Sequence, residues 1–77
     1  MSRRERLALV ASEWTRDGAR TLLEEIAAIH ETRPDGGLAH AIDTAQRSLR
    51  RGFVATGLRR LERAVAVAEF VAEERPS

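Results

Sequence analysis

The chain has 77 residues and a formal net charge of +1, enough for one small domain spanning 1–77 and too little charge for a global field that attracts a polyanion. It contains no cysteine, which excludes a disulfide framework and a thiolate metal site. A domain of this size buries only about 60% of its unfolded surface, so stability has to come from well-formed helices, from oligomerisation, or from both.

Ser2-Arg3-Arg4-Glu5 has the spacing of a capping box, with Ser2 as N-cap and Glu5 reaching back to it. Arg3, Arg4 and Arg6 followed by Leu7-Ala8-Leu9-Val10-Ala11 begin like a secretory signal. The apolar run stops at Ser12-Glu13, short of the ~7–15 residues such a segment needs. No apolar run approaches the ~20 residues of a membrane span, and the expected location is the cytoplasm.

A helical stripe then runs through Leu7, Val10, Ala11, Trp14, Gly18, Leu22, Ile26 and Ile29 in steps of three and four. Arg33-Pro34-Asp35-Gly36-Gly37 ends it, because Pro34 disfavours helix at Arg33 and the glycines supply turn geometry. A second stripe follows: Leu38, Ala41, Ile42, Ala45, Leu49, Phe53 or Val54, Leu58, Leu61, Val65, Ala68 and Ala72, ended by Pro76. The expected fold class is all-α, with helical halves at about 2–32 and 38–74 and a turn at 33–37. Asp17-Gly18, with a second capping box at Thr21 to Glu24, and Gly52, with a restart at Thr56-Gly57, are weak points where each half can break. The architecture is therefore an antiparallel helical hairpin or a three- to four-helix bundle.

Ala64 to Ala72 is apolar on almost every side, with Val67 and Phe70 pointing away from the main stripe. A two-helix hairpin cannot cover such a helix, so homodimerisation is expected, unless the first helical segment wraps over it in a monomer. Trp14, in the stripe of the first half, reads as a core anchor that can also serve an interface. Trp14, Val67, Phe70 and Val71 are the candidate interface residues. In an antiparallel hairpin, Arg3, Arg4 and Arg6 come near Glu69, Glu73 and Glu74, weak exposed pairs that still favour that arrangement.

The charge distribution says more than its sum. Arg47, Arg50, Arg51, Arg59, Arg60 and Arg63 face a single acid, Glu62, between Thr44 and Arg63, and Arg16 and Arg20 fall at the same height. Residues 21–43 carry Glu24, Glu25, Glu31, Asp35 and Asp43 against Arg33 alone. A basic face of this kind meets either an acidic protein or the phosphates of a nucleic acid. No nucleic-acid-binding motif is present, and no aromatics are interleaved to stack bases.

Catalytic and metal-binding patterns are missing. Ser2, Ser12, Ser48 and Ser77 lie in no elbow-type context, Glu24-Glu25 and Glu73-Glu74 point apart on a helix, and Gly36-Gly37 is a turn rather than a phosphate cradle. His30 and His40 flank the central turn at equal distance, yet Ala27 stands where a Glu-x-x-His ligand pair requires the acid. No metal, cofactor or small-molecule substrate is expected. Residues 38–72 have the length of a tetratricopeptide unit without its Trp-Leu-Gly-Tyr pattern, and the likeness to small RNA-binding hairpins of plasmid copy control rests on layout alone. The function expected from the residues is a non-enzymatic interaction or oligomerisation module, such as a regulatory adaptor, an inhibitor or a small subunit. A nucleic-acid-binding regulator using the arginine face is the alternative.

Overall fold

The computed structural model describes residues 2–73 and contains four helices: α1 (Arg3–Ser12), α2 (Arg16–Thr32), α3 (Gly36–Arg50) and α4 (Val54–Glu73). Glu74 and Pro76, invoked above as an ion-pair partner and a helix stop, lie outside the described residues. Both helical halves break, and the described residues fold as an all-α bundle of four helices.

The first three helices each start on a side chain that accepts from a free N–H group of the first turn. At α1 the capping box forms as expected: the Glu5 N–H donates to Ser2 Oγ at 3.2 Å and the Ser2 N–H to Glu5 Oε1 at 3.3 Å. At α2 the Gly18 N–H donates to Thr15 Oγ1 at 3.1 Å, and at α3 the Leu38 N–H donates to Asp35 Oδ1 at 2.9 Å.

The Thr15 cap corrects the first expected break. It falls at Glu13-Trp14-Thr15, upstream of Asp17-Gly18, and Thr21 to Glu24 lie inside α2. The Asp35 cap likewise starts α3 at Gly36, within the expected turn.

The second break is at Gly52, where it was expected, although α4 restarts at Val54 instead of Thr56-Gly57. Gly52 has φ +80°, a left-handed conformation that costs other residues about 1–2 kcal/mol. The Phe53 N–H donates to the Ser48 carbonyl at 2.9 Å and the Gly52 N–H to the Leu49 carbonyl at 3.1 Å. These two bonds form a Schellman closure, which ends α3 and turns the chain straight into α4.

α3 and α4 make the closest pair, and α4 also packs on α1 and α2. The core holds Leu22, Leu23, Ile26, Leu38, Ile42, Leu61 and Val65, interleaved with Ala19, Ala45, Ala64 and Ala68. Gly57 marks a close approach of α4 to α3: a Cβ built there would stand 2.8 Å from Leu49 Cγ.

α1 contributes one buried residue, Val10, and the half-buried Leu7 packs against the core. Arg3 Nε pairs with Glu69 at 3.3 Å, as the antiparallel terminal segments led one to expect, whereas Arg6 pairs with Glu25 of α2. At the far turn, Arg33 Nη1 donates to the Val71 carbonyl at 3.2 Å and ties the α2–α3 connection to α4.

This arrangement answers the question raised by the apolar last helix. α1, α2 and α3 together cover Leu61, Ala64, Val65, Ala68 and Val71 within one chain. A second copy is not needed to bury them, and the excess that remains outside is Phe70, 67% exposed.

A candidate protein-docking surface

The α3–α4 turn converts what would be the middle of a long hairpin into one end of the bundle. The start of α2, the end of α3 and the start of α4 meet there, and the α1–α2 connection crosses beside them. Arg16, Ala19, Arg20, Leu23 and Glu24 are spaced to share one face of α2; Gln46, Leu49 and Arg50 do the same on α3. Between those faces lies an open groove of about 480 Å³, completed by Trp14, Gly52 and Val54. Ala19 and Leu23 are buried at its floor, Leu49 is half-buried, and Arg16, Arg20, Glu24 and Arg50 are exposed at its rim.

Trp14 departs from the expected core position. It sits in the connection between α1 and α2, 36% exposed, because the Thr15 cap begins a new helix one residue later. Phe53 and Val54, in and just after the Gly52 turn, are 58% and 36% exposed. Three of the five exposed large apolar residues among those described are therefore in or next to the α1–α2 and α3–α4 connections; the others are Leu9 on α1 and Phe70 on α4.

The four candidate interface residues do not form one surface. Trp14 lines the groove described above. Phe70 lies on the outer side of α4 in a shallow depression with Arg4, Ala66, Glu69 and Glu73. Val67 is half-buried, and Val71 belongs to the core at 6% exposure.

All six arginines of the expected basic face, Arg47, Arg50, Arg51, Arg59, Arg60 and Arg63, are exposed. Arg47 is engaged by Asp43 one turn away at 3.0 Å. Of the six, Arg50 enters the groove, where Arg16 and Arg20 from α2 join it. Residue spacing missed Leu23, Leu49 and Val54 as groove residues. Leu49 and Val54 had been placed in the apolar stripe, and the usable signal was that Gly52 would fold Val54 back beside Leu49.

Among the described residues no group of three His, Asp or Glu side chains could hold a metal ion. His30 is half-buried near the end of α2, and His40 is exposed on α3. The Ser12 hydroxyl donates to the Leu9 carbonyl at 3.2 Å, and Ser2 caps α1, so both serve helix ends. No described helix is long and apolar enough to cross a membrane. Compared with models of known protein families, curated proteins and solved structures, the chain matches none.

Proposed function

We propose that this chain is a non-enzymatic protein–protein interaction module, acting as a regulatory adaptor, an inhibitor or a small subunit of an assembly. The observation that carries this reading is the exposure of Trp14 and Val54 on a groove at the basic end of the bundle, with the exposed Phe53 next to it in sequence, between the groove residues Gly52 and Val54. Aromatic residues held in place by turns and flanked by arginine make up the residue classes that dominate binding hot spots. Phe70 offers a second contact point, where a further copy of the chain can be seated.

Photocrosslinking tests the reading. A benzophenone side chain placed at position 53 or 70, in the cells that make the protein, is expected to trap a discrete protein product. From position 53 the product should vanish in the Trp14→Ala background; a product of twice the chain mass from position 70 would identify self-association. Diffuse labelling from both positions, with no discrete product, contradicts the proposal.

A second reading has its own support. Arg47, Arg50 and Arg51 fall at the end of α3 and just after it, Arg59 and Arg60 in the first half of α4 and Arg63 near its middle, so the α3–α4 hairpin presents six exposed guanidinium groups. If this end binds phosphates, anisotropy of labelled duplex DNA or single-stranded RNA will show affinity falling steeply with salt. Removing one contacting arginine should then reduce the slope by about one unit. No binding at low salt would end that reading.

A further inference from the structure

We propose that the groove at the basic end takes an acidic amphipathic helix of a partner protein, with aliphatic side chains facing inward and Asp or Glu along its edges. The proposal rests on the interaction-module reading and adds the chemistry of the occupant.

The floor sets the inward face. Leu49 and Val54 offer the accessible aliphatic surface, backed by the buried Ala19 and Leu23, in an open volume of about 480 Å³, room for Leu- or Ile-sized side chains at helical spacing. The rim sets the edges. Arg16, Arg20 and Arg50 stand there against one acid, Glu24, and among the described residues none of the three has a carboxylate partner within salt-bridge distance. A guanidinium fork matches a carboxylate in two parallel hydrogen bonds. Arg16 and Arg20 are one helical turn apart, the same step that separates carboxylates at i and i+4 on a docked helix.

Two other occupants fit less well. A single-stranded nucleic acid is held on faces where its bases stack, and Trp14 is the single aromatic residue lining this groove. A second copy would have to offer its own exposed apolar patch, which is the one around Phe70. That patch lies between α1 and α4, whereas the groove is formed mainly by α2 and α3, and it carries Arg4 beside its acids. Such a contact is head to tail and builds an open chain of copies unless its rotation happens to close a ring.

The test is selection of a random displayed peptide library, each member about four helical turns long, on the folded full chain. Expected winners are rich in Asp and Glu, with Leu, Ile or Phe at i, i+3 or i+4, and i+7. Binding should shift the emission of Trp14, the chain's sole tryptophan. Arg20→Glu and Arg50→Glu should each weaken binding about tenfold or more, and Val54→Asp should do so through the floor. Arg60→Glu, outside the groove, should leave it unchanged; circular dichroism confirms that these surface variants stay folded. Basic or neutral winners, winners indifferent to Arg20→Glu and Arg50→Glu, or tighter binding of single-stranded RNA than of any peptide would overturn the proposal. Winners lost only in Phe70→Asp would overturn the groove while leaving the interaction module standing. No winner on any face, together with no crosslinked product, would overturn both.

Discussion

Truncating Leu61 to alanine is expected to lower the melting temperature by roughly 10–20 °C. Leu61 is fully buried in α4, the helix that packs on all three others, so the cavity it leaves borders more than one interface. Leu→Ala at such sites costs about 2–5 kcal/mol, whereas the whole stability of a domain this small is roughly 5–10 kcal/mol. Much of the folded state's margin therefore depends on one side chain. Phe70→Ala is the contrast: the ring is mostly outside, and its loss should change stability by no more than about 0.5 kcal/mol. Urea titrations followed by circular dichroism will separate the two. Equal costs, or a Leu61→Ala cost below about 1 kcal/mol, would mean that α4 is not the centre of the packing.

The second large effect is expected at Gly57. A Cβ there already stands too close to Leu49, and valine adds two further carbons on the same side. Gly57→Val should destabilise the bundle by about 2 kcal/mol through overpacking. Gly57→Ala should cost less, because the helix gains about 1 kcal/mol when glycine is replaced inside it. Leu49 lines the groove together with Trp14, so displacing it should also change Trp14 emission in the folded state. A stability loss with unchanged emission would show that the strain is absorbed away from the groove.

The legibility of this chain follows the range of the interactions. Local signals read well: the Ser2–Glu5 capping box, the end of the first half at Pro34 and the break at Gly52 are all settled within a few residues. The break before Thr15 did not read, because Trp14 continues the three-four spacing of the stripe and a lone threonine cap gives a weaker signal than Asp17-Gly18. That single misplacement put Trp14 in the core.

Long-range consequences were harder still. The apolar surround of Ala64 to Ala72 correctly called for cover on several sides, but periodicity cannot tell whether the cover is α1 or another molecule. Val71 was named as an interface residue beside Phe70, yet its side chain belongs to the core. The groove itself depends on three separate segments meeting at one end, which follows only once the Gly52 turn reverses α4. The excess of arginine near that turn was plain from the residues, and the fold brings Arg16, Arg20 and Arg50 onto one groove.

The most direct test of the docking account is a two-dimensional amide NMR titration of the full chain with an acidic, apolar-faced helical peptide. The account predicts that shifts concentrate at Trp14, Ala19, Arg20, Leu23, Leu49, Arg50 and Val54, with the Phe70 side of α4 unmoved. Shifts centred on Ala66, Glu69 and Phe70, or no saturable shift at the groove, would contradict it.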